Sequence, residues 1–268
     1  LPLAIHGIVS LQNGDTVDMT VGEEENDPVF VITDILPHLG KEQAKKTMAE
    51  GVSGENLNVL VGSIPVKEKD AKEKVKTYLL RYLHDKYGIV EQDFGSAEIE
   101  IVPAGPARDL GFDKSMMLAY GHDDRVCSYA GLEALLAIDG TPEYTSVLLL
   151  SDKEEIGSVG ATGMESTIFE NATADLIAAT EEAYNDLKLR KCLENSRMIS
   201  ADVNAVHDPN YPDVSSPNNM AKLNAGIVLT KYGGARGKAG SSEASAEFMA
   251  VLRRIFNEGN VVWQTGEM

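Results

Sequence analysis

The chain has 268 residues, 43% hydrophobic and 25% charged, with two cysteines and a formal net charge of −18 from 42 acidic against 24 basic side chains. That composition excludes a disordered, collagen-like or disulfide-stapled chain, and no apolar run reaches the ~18 residues of a membrane span. The acidic balance repels phosphate backbones and anionic lipid, so nucleic acid and membranes are not expected partners, whereas carboxylates are the usual ligands of divalent cations.

Residues 3 to 21 alternate apolar and polar around Asn13-Gly14, a dipeptide that tolerates the positive φ of a hairpin turn. Val29 to Ile32 predicts a strand, Glu42 to Glu50 a short helix and Leu57 to Val61 another strand. Lys67 to Tyr87 predicts a helix, with Val75, Tyr78, Leu79, Tyr82 and Leu83 on one face and Gly88 marking its end. Ala97 to Val102 predicts a strand, after which Pro103, Gly105 and Pro106 break the pattern and place a domain boundary. Beyond it the rhythm becomes α/β alternation. Helices are expected over Arg125 to Ile138 and between Thr167 and Leu193, and strands at Val147 to Leu150, Met198 to Ala201 and Gly226 to Thr230. A last helix, capped by Ser241 or Ser242, runs through Glu247 and Ile255 before a closing strand at Val261.

Chemistry concentrates in three acidic loops. Glu154 and Glu155 follow directly on the Val147 to Leu150 segment, where one carboxylate can bind a metal while the other serves as general base; a solvated polar loop is the ordinary alternative. Gly157, Gly160 and Gly163 invite a phosphate-loop reading, which fails for want of the Lys-Ser/Thr pair. Asp123 and Asp124 precede a predicted helix, where either can cap it. Asp202 ends a predicted strand, where a turn role is ordinary. Together the three loops offer a place for a pair of divalent ions. Cys127 and Cys192 fall in predicted helices and are expected as reduced thiols in a cytoplasmic protein. His6, His38 and His84 read as structural, His207 as a surface residue, and Asn171-Ala172-Thr173 is given no role.

The order Asp123-Asp124-Arg125-Val126, then Asp152-Lys153-Glu154-Glu155-Ile156-Gly157-Ser158, then Ser200-Ala201-Asp202-Val203-Asn204-Ala205-Val206-His207 resembles metallopeptidase family 18, the aspartyl aminopeptidase and aminopeptidase I family. The similarity extends to Leu3-Ala4-Ile5-His6-Gly7, Ile101-Val102-Pro103-Ala104-Gly105 and Val261-Val262-Trp263-Gln264-Thr265-Gly266-Glu267. The resemblance implies two divalent ions, zinc or cobalt, and removal of N-terminal residues from peptide substrates. It makes Asp123 the bridging ligand, Glu155 and Asp202 ligands of one metal each, and Glu154 the general base. Each metal of the family also takes a histidine from segments outside this sequence, so the chain by itself is expected to be inactive. Relatives often carry His-Ala-Val-His-Pro-Asn where Asn204-Ala205-Val206-His207-Asp208-Pro209-Asn210 stands here, a departure that bears on His207.

The implied fold is α/β, with a catalytic α/β sandwich of the zinc-exopeptidase type over residues 105 to 268. An inserted strand-rich domain over 1 to 104 would be used for dimer contacts and for framing the active site. The implied assembly is a homo-oligomer, a dodecamer built from dimers. Because the chain opens on Leu1 and closes just after Val261-Val262-Trp263, it is expected to be an internal portion of a longer polypeptide. A noncatalytic scaffold that kept the fold and lost its metals is the rival reading, and the intact Asp123, Glu154, Glu155 and Asp202 speak against it.

Overall fold

The computed structural model describes residues 1–214, 216–233 and 243–266, and the chain divides into two compact units, Leu1–Tyr120 and Gly121–Met268. In the first unit, β1 (Leu3–Ser10) lies between β2 (Thr16–Val21) and β5 (Ala97–Pro103), antiparallel to both. The β1–β2 register pairs Ser10 with Thr16, so the Asn13-Gly14 hairpin has a longer loop than a two-residue turn, closed by Leu11 N–H donating to Asp15 O at 2.8 Å. Alternation along β1 and β2 delivers Val9 and Met19 to one side of the sheet. There they pack on Ile89, with Ile5, Leu11, Leu83, Tyr87, Ala97 and Ile99 around them. Val9 and Ile89 are fully buried.

The covering helix is α1 (Lys74–Tyr87), which starts later than the Lys67 expected from its apolar face. No side chain caps its N-terminus, whereas Gly88, in the left-handed region at φ 74°, donates its N–H to His84 O and ends the helix at the expected place. Asp93 is buried, and its carboxylate accepts from Val90 N–H at 2.8 Å, fixing the chain between Ile89 and β5. The expected strands around Val29 and Leu57 shrink to a two-residue pair, β3 (Val31–Ile32) with β4 (Val59–Leu60). The Glu42 to Glu50 segment holds only a single 3₁₀ turn, Gln43–Lys45, whose residues bury nothing and therefore gain no packing to propagate a helix. After the Pro103 to Pro106 break, β6 (Arg108–Leu110) and β7 (Met116–Leu118) form an antiparallel hairpin that belongs to the first unit.

The second unit contains α2 (His122–Leu136), α3 (Ile168–Thr180), α4 (Asp186–Asn195) and α5 (Ala246–Glu258). It also contains the parallel pair β8 (Ile227–Thr230) and β9 (Trp263–Gly266). Ser245 caps α5 by accepting from Phe248 N–H at 3.2 Å; the expected caps Ser241 and Ser242 lie outside the described residues, as does Glu267. Two expectations are corrected. Val147 to Leu150 and Met198 to Ala201 form no strand, because neither has a ladder partner among the described residues. Val147, Leu150, Met198 and Ile199 are exposed, while Leu148 rests against Gly131 of α2. Among the described residues no helix is long and apolar enough to cross a membrane. The α/β class expected from the sequence is the class observed.

Candidate metal centre

Asp123 and Asp124 stand in the first turn of α2, and the structure corrects their expected role as caps. The N-cap position is Gly121, no side chain caps the helix, and both aspartates leave helical geometry, Asp123 at φ −83°, ψ 111° and Asp124 at φ −118°, ψ 35°.

Asp202 arrives from a different part of the unit. Its Oδ1 accepts from Val203 N–H at 2.7 Å. The segment that follows is tied down by Asn204 Nδ2 donating to Thr230 Oγ1 of β8 at 3.2 Å and by His207 N–H donating to Ala221 O at 3.0 Å. Val206 pairs with Ala221, an apolar side chain that is 1% exposed.

These constraints bring ligand atoms of Asp123, Asp124 and Asp202 within 4.8 Å of one another, with Asp124 half-buried and the other two exposed. Asp124 Oδ1 is buried and has no hydrogen-bond partner among the described residues. Three carboxylates at this spacing repel one another, and a buried acceptor left unpaired carries a desolvation cost. The neighbouring thiol registers the same field: Cys127 is pushed up to about 12 by burial first, then by its hydrogen bond to Asp124 and the negative charge of Asp124, Asp202 and Asp123.

A divalent cation relieves both conditions. The donor set is all carboxylate oxygen, which suits hard and borderline ions; zinc takes such oxygens at about 2.0–2.2 Å. Asp124 is the member that the sequence reading treated only as a cap. Its adjacency to Asp123 was the available signal, but the kink that makes both point to one place is a backbone feature with no residue signature.

Glu154 and Glu155 are not members of this group among the described residues. They occupy an exposed single turn, Glu154–Ile156, bounded by left-handed Lys153 (φ 65°) and Gly157 (φ 101°). His207 is exposed, and its backbone N–H is held by Ala221 O. His6 hydrogen-bonds Glu23 at 2.7 Å in the first unit. Cys127 and Cys192 are free thiols, as expected.

A family model described as aminopeptidase I zinc metalloprotease (M18) matches residues 1–268. A curated relative from Clostridium acetobutylicum, a probable M18 family aminopeptidase 1, is 51% identical over 268 residues, covering all of this chain and 57% of the relative. The crystal structure of aminopeptidase I from the same organism superposes with a TM-score of 0.87 at 51% identity, over the whole chain and 57% of that structure. An M18 aminopeptidase from Thermotoga maritima superposes with a TM-score of 0.92 at 42% identity, over the whole chain and 58% of that structure. The chain thus spans somewhat over half the length of these relatives.

Proposed function

Because the chain belongs to the M18 family of zinc metallopeptidases, we propose that its protein hydrolyses N-terminal residues from peptides, using two divalent ions, zinc foremost and cobalt as an alternative. Asp123, Glu155 and Asp202 are the proposed ligands, with Asp123 shared between the ions, and Glu154 is the proposed general base. The observation that supports this reading is the convergence of Asp123 and Asp202 from separate segments, with Asp124 beside them.

Bound divalent ions would supply Lewis-acid polarisation of the scissile carbonyl and a water acidified toward neutral pH. The chain's own residues do the rest. Asp123 and Asp202 set the position of positive charge. Glu154, exposed on its turn, accepts a proton from the attacking water and returns it to the departing amine. Asp124, held in the same kink, adds negative charge that strengthens retention of cations. Residues 105 to 268 are the proposed catalytic part and residues 1 to 104 the part that frames the site and makes dimer contacts, in a homo-oligomer of dodecameric form.

The test separates the two glutamates. In the full-length protein, Glu154→Gln should abolish turnover of aminoacyl-nitroanilides while zinc content stays near that of the wild type, whereas Glu155→Gln should lose metal together with activity. If Glu154→Gln empties the site and Glu155→Gln does not, the roles are reversed.

A further inference from the structure

The loop that carries Glu154 and Glu155 is closed on itself by hydrogen bonds of its own. Asp152 and Thr162 meet twice, once when Thr162 Oγ1 donates to Asp152 Oδ2 at 3.1 Å and once when Asp152 N–H donates to Thr162 O at 3.4 Å. Lys153 Nζ stands 3.6 Å from the same Oδ2.

Inside the closure, Gly157 N–H donates to Glu154 O and Ser158 N–H to Lys153 O, both at 2.8 Å, and Glu165 N–H reaches back to Ser158 O at 3.1 Å. Gly163 is buried in the return path, where an added Cβ would lie 2.0 Å from Ser158 O, so only a residue without a side chain passes there. Lys153 and Ser158 hold positive φ, of 65° and 60°. Non-glycine residues keep that conformation only where their surroundings fix it. Backbone and Thr162 hydrogen bonds hold the Asp152 carboxyl below its ordinary range, so it is an ionised acceptor near neutral pH.

We propose that the Asp152–Thr162 pair is a positioning tie that sets where the Glu154 carboxylate stands. The inference rests on the assignment of Glu154 as general base. The pair lies at the surface, where one hydrogen bond contributes little to global stability. A misplacement of a catalytic group by about 1 Å, by contrast, can cost on the order of a hundredfold in rate. In protein saturated with zinc, loss of the tie therefore lowers kcat and leaves substrate affinity and thermal stability nearly unchanged.

The test uses the full-length protein loaded with zinc or cobalt, with leucyl- and aspartyl-nitroanilide as probes, and compares Thr162→Val, Thr162→Ser, Asp152→Ala, the Asp152→Ala/Thr162→Val double variant and Glu154→Gln. Thr162→Val should lower kcat by about tenfold to a hundredfold with KM within about threefold. Thr162→Ser, which keeps the donor, should recover most of the rate. The double variant should fall no further than the weaker single one, because both remove the same contact. Wild-type kcat in both Thr162→Val and Asp152→Ala, an equal loss in Thr162→Ser, or multiplied losses in the double variant would overturn the tie. Full activity of Glu154→Gln would instead overturn the base assignment and the tie with it; an inactive Glu154→Gln beside wild-type kcat in Thr162→Val and Asp152→Ala overturns the tie alone.

Discussion

Ile89→Ala is the sharpest test of the first unit's core. Ile89 is fully buried against Val9 and Met19, and it joins the end of α1 to the sheet formed by β1, β2 and β5. Truncation removes three carbons, worth ~0.8 kcal/mol each in transfer free energy, or ~2.4 kcal/mol. The cavity left between sheet and helix adds to this, because close-packed neighbours relax only partly, so a total of about 3 to 4 kcal/mol is expected. Native-state hydrogen exchange resolves the effect locally: amides of β1 and β5 that exchange through opening of this unit should do so roughly a hundredfold faster or more. Val9→Ala removes two carbons and should cost less, and the pair should be less than additive because both side chains border one cavity. Leu60→Ala, at a site 54% exposed, serves as the control and should change exchange of β1 little. A loss below about 1 kcal/mol for Ile89→Ala would refute the placement of this residue at the centre of the core.

Two further outcomes follow from backbone geometry and charge. Gly226 has φ 96°, and a Cβ there would lie 2.3 Å from Val262 O, the acceptor of Ile227 N–H at 3.0 Å. Gly226→Ala should therefore disrupt the β8–β9 pair and destabilise the second unit by more than about 2 kcal/mol, read by the fluorescence of Trp263, the sole tryptophan. Asp27 is held below its ordinary value of 3.8 by Gly22 and Glu24 N–H groups donating to its carboxylate. A carboxyl depressed in the folded state contributes stability that is full above its unfolded pKa and lost as pH falls through the folded one. Asp27→Asn should accordingly destabilise the Gly22 to Asp27 turn at neutral pH and make its stability less steep in acid; an unchanged acid limb in urea titrations would refute this.

Local signals were legible where sequence and packing agree. Alternation around Asn13-Gly14 identifies β1 and β2 because their apolar side chains meet a core, and Gly88 marks the end of α1 because its left-handed conformation closes the helix. Apolar content alone misled at Val147 to Leu150 and Met198 to Ala201. Such runs signal surface that favours burial, but a strand also needs a neighbour, and sequence does not name one. At the site, Asp123 and Asp202 could be singled out by their place in loops, and their roles came from the resemblance to a family. Asp124 was missed because its contribution depends on a kink in α2 rather than on any spacing in the sequence. The Asp152–Thr162 closure was equally hidden, since its partners lie ten positions apart with no periodic pattern between them.

Anomalous diffraction at the zinc absorption edge, from crystals of the full-length protein grown with zinc, tests the central claim most directly. Zinc is expected within about 2.0–2.2 Å of carboxylate oxygens of both Asp123 and Asp202, with Glu155 on one ion and Glu154 facing the ions without ligating them. Zinc bound away from Asp123 and Asp202, or an Asp202 carboxylate more than about 10 Å from that of Glu155, well beyond a two-metal cluster, would contradict it.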